Sequence, residues 1–198
     1  MSMTERLCFG AGSDPVAVAE RAVEVLRRPG SVVLLPTETV YGLVCRAEDR
    51  DAVERIYALK DRDFSKPLSW FVFDWRTLGR FGVILEGLPE KLAEEYCPGP
   101  ITIIAPRTDG TTVGFRIPDH PLVLEILRRI DVPLASTSAN LSGRPNALTV
   151  GEALAELTGE VDLAIDAGAI PADAQPSTVV LATGKEPKVL RPGPIRFQ

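Results

Sequence analysis

Two short segments in the first third of the chain concentrate side chains that commonly bind ligands. The first, residues 36–43, has the sequence PTETVYGL and follows an apolar stretch that predicts a buried strand. Open α/β sheets bind ligands where strands end, so two hydroxyls, a carboxylate and a phenol at this position favour a small-molecule site. The alternative for Thr37 and Thr39 is a turn whose hydroxyls bind local backbone groups, and the residues alone leave both interpretations open. For Tyr41 we favour a place in the core.

The second segment, residues 60–68, places three cations within seven residues: Lys60, Arg62 and Lys66. A guanidinium binds phosphate through paired hydrogen bonds and an ammonium group supplies a point charge, so the cluster suits a nucleoside triphosphate. The alternative is a solvated helix end, where cations complement the helix dipole. We favour the phosphate site, because the cluster is tight, precedes an apolar strand and belongs to an otherwise acidic chain.

Two further polar features lie downstream. Residues 136–140, with the sequence STSAN, end a predicted strand, and buried hydroxyls need hydrogen-bond partners. A polar turn is the alternative for this run. Arg116 lies on another predicted strand, where its guanidinium needs either a surface ion pair or a ligand carboxylate.

The bulk properties indicate an ordinary globular protein. Its 198 residues, 45% of them hydrophobic and 25% charged, suffice for one domain with a core, and we predict a single domain over residues 1–198. A net charge of −5 argues against a broad basic face, so we expect no tight direct binding of nucleic acid. No apolar run is long enough to cross a membrane and the N-terminus lacks a signal-peptide pattern, so no membrane association is expected.

Cysteine and histidine content limits the expected metal chemistry and indicates a location. The three cysteines, Cys8, Cys45 and Cys97, are far apart and lack a paired spacing, while His120 is the single histidine. A disulfide framework and a protein-held metal site are therefore not expected. Unpaired thiols fit a reducing cytoplasm, which is the predicted location.

Helical and strand patterns alternate along the chain, which predicts an α/β fold with helices packed on a sheet. A helix is expected after Asp14, and Thr149 with Glu152 predicts a capping box at the start of another. After residue 160 the pattern becomes short and rich in strands, which favours a mixed sheet over a wholly parallel one. The expected strands are residues 31–35, 68–73, 101–105, 114–117, 134–137, 163–166, 178–181 and 188–190.

The amino-acid sequence of the two N-terminal segments resembles that of the YrdC-like family, the threonylcarbamoyl-AMP synthases. The resemblance covers nearly the whole chain, with matching blocks in family order at residues 36–43, 60–68, 98–102, 113–120, 136–145, 177–180 and 190–193. One such block would be weak, whereas the ordered set is specific. The resemblance implies a twisted open mixed sheet with flanking helices around a deep cleft.

The resemblance also implies a role for individual residues. Its implied catalytic residues are Lys60 and Arg62. Its implied threonine-binding residues are Thr37, Arg116, Ser136 through its backbone, and Ser177. Its implied ATP-binding residues are Arg62, Lys66, Thr112, Ser138, Asn146 and Arg191, and Asn140 is expected to organise the turn that carries Ser138.

Three positions depart from the family pattern. Asn146 stands where serine or threonine is commoner, Leu181 stands where the family often has aspartate, and Phe71 stands where some members carry a substrate-lining histidine. By this resemblance, leucine at position 181 is expected to cost a structural hydrogen bond. Phenylalanine at position 71 is expected to narrow or dry the threonine end of the pocket.

By this resemblance the chain would form threonylcarbamoyl-AMP and pyrophosphate from L-threonine, bicarbonate and ATP, with Mg²⁺ held mainly by the phosphates. The product would pass to a separate transferase that modifies a tRNA adenosine. The main alternative is a non-catalytic RNA-binding relative, which the acidic charge disfavours. A second alternative is the carbamoyl-adenylate-forming unit of a hydrogenase maturation factor, whose additional acylphosphatase and zinc-finger parts find no counterpart in this sequence.

Overall fold

The computed structural model describes residues 4–197, which form a single continuous sheet with helices on both faces. The strands are β1 (Glu5–Cys8), β2 (Val33–Leu35), β3 (Gly42–Arg46), β4 (Ser69–Phe71), β5 (Ile101–Pro106), β6 (Thr112–Arg116), β7 (Leu134–Ser138), β8 (Leu163–Asp166), β9 (Thr178–Leu181) and β10 (Lys188–Arg191). The helices are α1 (Pro15–Leu26), α2 (Arg50–Leu59), α3 (Leu88–Tyr96), α4 (Pro121–Ile130) and α5 (Val150–Glu156), with a 3₁₀ helix at Trp75–Phe81.

The sheet is mixed, as the sequence predicts. Its ten strands lie in the order β1-β8-β2-β3-β7-β4-β6-β5-β9-β10. Four pairs of neighbours are parallel, β1 with β8, β8 with β2, β4 with β6 and β5 with β9, and the other five are antiparallel. The chain therefore brings segments that are distant in sequence, from β3 to β10, onto one continuous surface.

Along the central strands, successive side chains point to opposite faces of the sheet, so the core forms one layer on each face. Val33 and Leu35 of β2 pack with α1 and α4 on one face, whereas Leu34 packs with α2 and α5 on the other. This is the period of two that a strand buried on both faces shows. A third cluster, beneath α3 and the 3₁₀ helix, covers β5, β6 and β9.

Local capping explains where several helices begin. The side chain of Asp14 accepts a hydrogen bond from the backbone N–H of Val16 at 2.9 Å, and the Thr149 hydroxyl accepts one from Glu152 at 3.1 Å. The Glu152 carboxylate in turn accepts from the N–H of Leu148 at 2.8 Å. The two predicted N-termini are thereby confirmed, and each satisfies backbone donors that the helix itself leaves free.

Two strands are absent from the sequence prediction. The first is β1, a short edge strand, and the second is β3, which begins inside the PTETVYGL segment at Gly42. Because β3 is antiparallel to β2, residues 36–41 form the connection of a β-hairpin. The segment therefore follows a strand end, as expected, and leads into an antiparallel strand that the sequence did not predict. Within residues 4–197, no helix is long and apolar enough to cross a membrane.

Candidate active site

A cleft of about 310 Å³ opens on the sheet between β3 and β10. Its volume falls within the range of small-molecule sites. Ten hydroxyl side chains line it: Thr37, Thr39, Tyr41, Ser69, Thr102, Thr112, Ser136, Thr137, Ser138 and Ser177. Three arginines line it as well, Arg62, Arg116 and Arg191, and no aspartate or glutamate of the described chain does. The cleft is thus cationic inside an acidic protein.

Strand β6 forms part of the cleft floor by simple alternation. Thr112, Gly114 and Arg116 face the cleft, while Val113 and Phe115 are buried in the core beneath the strand. A side chain at Gly114 would meet the Thr102 methyl group at 3.2 Å and would also project into the floor. The small residue therefore keeps the space between Thr112 and Arg116 open.

Arg116 is buried, with only 4% of its surface exposed. Its Nη2 lies 2.6 Å from a carboxylate oxygen of Glu38 and donates to the Thr39 hydroxyl at 3.0 Å. Its Nε donates to the carbonyl of Gly99 at 3.3 Å. Burying a guanidinium is costly unless it is paired, and these contacts from two separate loops meet that requirement.

The Thr37 hydroxyl is engaged in hydrogen bonds within its own turn. Its hydroxyl oxygen accepts from the backbone N–H groups of Thr39 and Val40, both at 3.1 Å, and donates to the Val40 carbonyl at 2.7 Å. The Thr37 and Thr39 hydroxyl oxygens are also 2.9 Å apart. The capping interpretation that the sequence left open is the one observed, although Thr37 still lines the cleft.

Arg191 reaches the cleft from the edge strand β10. The pairing of β10 with β9 shifts register between Val189 and Arg191, so Leu190 is an extra residue that redirects the arginine. Its guanidinium donates to the carbonyl of Ser177 at 2.8 Å and to the Ser177 hydroxyl at 3.2 Å. Ser177 is further bonded to the Thr102 hydroxyl at 2.8 Å.

The chain that follows Arg191 turns back sharply over β9. A Cβ atom at Gly193 would lie 2.5 Å from the backbone nitrogen of Thr178 and 2.6 Å from the carbonyl oxygen of Pro176. Only glycine allows this approach, which explains the residue type in the RPG segment.

The run at residues 136–140 is held together by a buried lysine. Lys60 is 1% exposed, and its ammonium group donates to the carbonyls of Ser138 and Asn140. Burial, aided by the nearby charge of Arg62, lowers the pKa of Lys60 to about 8. The Asn140 amide donates to the carbonyls of Leu141 and Arg144, so Asn140 organises this turn as expected.

Arg62 lies in the loop that follows α2 and has far fewer constraints. It donates to the backbone carbonyls of Lys66 at 3.0 Å and Pro67 at 3.2 Å. The neighbouring Phe64 is exposed and stacks on Tyr57 with ring centroids 4.4 Å apart. Arg62 is therefore presented at the cleft by an exposed loop rather than by the sheet.

The three cleft arginines influence one another. Burial, together with the positive charges of Arg116 and Arg62, lowers the pKa of the Arg191 guanidinium below its ordinary value. An arginine stays protonated at neutral pH even so. Such a concentration of like charge is stabilised by an anion of more than one negative charge.

The structure brings together most of the site residues expected from the sequence. The cleft is lined by Thr37, Arg62, Thr112, Arg116, Ser136, Ser138, Ser177 and Arg191. Lys60, Lys66 and Asn146 lie outside its lining: Lys60 is buried behind the 136–140 turn, Lys66 is on the exposed loop, and Asn146 is half-buried. Phe71 lines the cleft close to Arg116, whose guanidinium carbon lies 5.7 Å from the ring centre.

Sequence reasoning missed several cleft residues. Tyr41, interpreted as core, is buried but lines the cleft, and its hydroxyl donates to the Gly168 carbonyl at 2.7 Å and accepts from Ala167 at 2.9 Å. Ser69 and Thr102 were also missed. Both are hydroxyl residues within short apolar strands. A single polar residue in such a strand could have indicated that it faces a cleft.

Fold and site together define a mixed α/β protein with a cleft lined by arginines and hydroxyl side chains. The family model Sua5_yciO_yrdC, described as "Telomere recombination", matches residues 25–193. The chain therefore belongs to the Sua5/YciO/YrdC family.

Individual relatives agree with this assignment. The chain is 33% identical over 189 residues to a putative threonylcarbamoyl-AMP synthase of Methanocaldococcus jannaschii, covering 90% of this chain and 89% of that protein. The structure of Pyrococcus abyssi Sua5 complexed with L-threonine superposes with a TM-score of 0.82 at 30% identity, covering 96% of this chain but 58% of the longer one. Escherichia coli YciO gives a TM-score of 0.85 at 26% identity, covering 96% of both chains.

Proposed function

We propose that this chain is a threonylcarbamoyl-AMP synthase, an enzyme that forms threonylcarbamoyl-AMP and pyrophosphate from L-threonine, bicarbonate and ATP. One observation carries the proposal: three arginines converge on a cleft lined by hydroxyls and, in the described chain, by no carboxylate. Such a cleft fits substrates that together present a triphosphate and a carboxylate. The named function of the relatives, and threonine in the P. abyssi Sua5 complex, support the same assignment.

The buried end of the cleft suits the amino acid. Arg116 is fixed and buried, which favours paired hydrogen bonds to a carboxylate. We assign threonine to Arg116, Ser177, Thr37 and the backbone of Ser136. Thr37 would contribute through the shape of its turn, because its hydroxyl is already engaged.

The more open end of the cleft suits ATP. Arg62 and Arg191 approach from an exposed loop and an edge strand, and we assign the nucleotide to them together with Thr112 and Ser138. Lys66 and Asn146 remain proposed ATP contacts that need a movement of their loops. Lys60, proposed as catalytic from the sequence, would act by holding the turn that carries Ser138.

The proposed reaction needs positioning and charge neutralisation more than a protein nucleophile. The threonine amine, once deprotonated, adds to the carbon of CO₂ derived from bicarbonate and gives a carbamate. A carbamate oxygen then attacks the α-phosphorus of ATP, and the bond to the β-phosphate oxygen breaks to release pyrophosphate. Arginines and backbone or hydroxyl donors lower the barrier by stabilising the charge that builds on the phosphate oxygens.

Magnesium would be held by the triphosphate rather than by a protein cage. No group of three or more potential metal ligands occurs among the side chains of residues 4–197, and the cleft lining in that range has no acidic residue. This donor set fits a hydrated Mg²⁺ bound through substrate phosphates. The ion would neutralise phosphate charge.

Several wider features belong to the same proposal. We treat residues 1–198 as one catalytic domain, because a single ten-stranded sheet runs through residues 4–197. The free thiols of Cys8, Cys45 and Cys97 fit a reducing cytoplasm. The adenylate would pass to a separate transferase for tRNA modification. An RNA-binding role is not favoured, because the net charge is −5 and the matched relatives are named as synthases.

The reaction is tested by omitting one substrate at a time. The purified protein is incubated with ATP, Mg²⁺, L-threonine and bicarbonate, pyrophosphate is measured, and the adenylate is sought by mass spectrometry. We expect pyrophosphate release and a threonylcarbamoyl adenylate only when threonine and bicarbonate are both present. Equal pyrophosphate release with ATP alone would contradict the proposal and indicate a simple pyrophosphohydrolase.

A further inference from the structure

Arg116 has five N–H donors, and two of them donate hydrogen bonds within the described part of the chain, beside an ion pair with Glu38. Its Nε donates to the Gly99 carbonyl, and its Nη2 contacts both the Thr39 hydroxyl and the Glu38 carboxylate. The second terminal nitrogen, Nη1, has no acceptor among residues 4–197. The guanidinium is thus fixed along one side and open at one terminal nitrogen.

Glu38 contacts the guanidinium from outside the cleft. Arg116 lines the cleft, whereas Glu38 does not, although the two are 2.6 Å apart. A carboxylate in this position neutralises the buried cation without occupying the space in which a ligand would bind. It also fixes the orientation of the guanidinium, because a charged pair at this distance prefers one geometry.

Thr39 fixes the same nitrogen through a chain of hydroxyls. Its oxygen accepts from Arg116, and its hydrogen is within reach of the Thr37 oxygen at 2.9 Å, while Thr37 donates to the Val40 carbonyl. Each hydroxyl in such a chain polarises the next, which strengthens the set. The turn of residues 37–40 therefore sets the direction of the Arg116 side chain, which is rooted on β6.

We propose that Glu38 and Thr39 are positioning residues that hold Arg116 so that its Nη1 points at the carboxylate of the amino-acid substrate. Neither residue contacts the substrate; both act through the guanidinium. This inference rests on the proposed function, because it takes threonine as the ligand of Arg116. It explains why Glu38 and Thr39 occur beside the cleft although neither is assigned a contact with a substrate.

Steady-state kinetics of four variants test the proposal, with the KM for threonine and the KM for ATP measured separately. Glu38→Ala and Thr39→Val should raise the threonine KM by roughly 10-fold or more, the scale of losing a hydrogen bond to a charged group. The ATP KM should change less than about twofold. Thr39→Ser keeps the hydroxyl and should restore the threonine KM, and Glu38→Gln keeps an acceptor and should fall between wild type and Glu38→Ala.

Glu5→Ala is the matched control, because Glu5 pairs with Arg21 at the same 2.6 Å separation, outside the cleft lining. It should leave both KM values unchanged. An unchanged threonine KM in both Thr39→Val and Glu38→Ala, in an active wild-type protein, would overturn the inference. A lower threonine KM in Glu38→Gln would also overturn it, because Glu38 would then compete with the substrate. Inactive wild-type protein would instead contradict the proposed function.

Discussion

The two ends of the cleft differ in how much of their hydrogen bonding the protein itself supplies. At one end, Arg116 is buried on a sheet strand and bonded to Glu38, Thr39 and Gly99. At the other end, Arg62 lies on the loop after α2, which includes several exposed residues. Within residues 4–197 it donates to two backbone carbonyls of that loop. The first end has the arrangement of a preformed pocket, and the second has the arrangement of a segment that ligand contacts would order.

The difference follows from the chemistry that each end is proposed to perform. A small carboxylate offers few contacts, so its site gains most from a guanidinium that is fixed in advance. A triphosphate offers many oxygens and a large charge, so mobile cations can adapt to it. The comparison predicts that mutations at the buried end affect both stability and activity, whereas those at the exposed end affect activity alone.

The largest effect is expected at Arg116. Arg116→Ala should lower turnover by about 10³-fold, because it removes the buried guanidinium proposed to bind the substrate carboxylate. It should also reduce the free energy of unfolding by about 2 kcal/mol, because a buried side chain is truncated and the buried Thr39 hydroxyl loses its donor. Urea denaturation and pyrophosphate release measure the two effects on one preparation.

The control for this change is Arg21→Ala, which removes partly exposed ion pairs with Glu5 and Glu24. It should cost less than about 1 kcal/mol of stability and leave turnover unchanged. Equal losses of stability in Arg21→Ala and Arg116→Ala would contradict the claim that buried Arg116 stabilises the fold more than the partly exposed Arg21.

A smaller effect is expected at Arg62. Arg62→Ala should lower turnover by roughly 10²-fold through the loss of a charge-assisted phosphate contact, with little change in melting temperature. Lys66→Ala should lower turnover less, because its side chain lies outside the cleft lining. If Arg62→Ala lowered the free energy of unfolding as much as Arg116→Ala, the loop would contribute to stability as much as the sheet does, contrary to this prediction.

The last expected effect is a pH dependence of stability that comes from Lys60. Burial lowers its pKa to about 8 in the folded protein, from 10.5 for the free side chain. Between these values the unfolded chain binds more protons than the folded one, so the free energy of unfolding rises with pH through this window. Below about pH 8 the term is constant and unfavourable.

The variant Lys60→Met isolates this term, because it removes the titrating group and keeps the apolar stem. Urea denaturation of both proteins from about pH 7 to pH 10 should show wild type gaining stability relative to Lys60→Met as pH rises. A constant difference would show that the carbonyls of Ser138 and Asn140 hold the ammonium form so well that its pKa stays ordinary.

The sequence predicts the fold class and the helix starts well, because both depend on local signals. The caps at Asp14 and Thr149 are examples, since a side chain and a backbone group a few residues away decide them. The strand β3 was missed because residues 36–43 carry polar residues next to its first positions. Its pairing with β7, almost 100 residues away in sequence, is what makes it a strand.

The site shows the same division between local and distant effects. The alternation that places Thr112 and Arg116 on one face is readable from β6 alone. The pairing of Arg116 with Glu38 joins two segments that are brought together by the sheet topology. A local sequence pattern therefore cannot predict this ion pair. Lys60 is a further example, because the cation cluster alone does not reveal that its ammonium group donates to the carbonyls of Ser138 and Asn140.

A structure of the protein with L-threonine and a non-hydrolysable ATP analogue tests the central claim most directly. The account predicts the threonine carboxylate within hydrogen-bond distance of Arg116 Nη1, with Glu38 still paired to Nη2. It predicts the triphosphate between Arg62 and Arg191, with the 61–67 loop moved toward it. Phosphate oxygens bound to Arg116, or threonine bound away from it, would contradict the division of the cleft on which the proposed function depends.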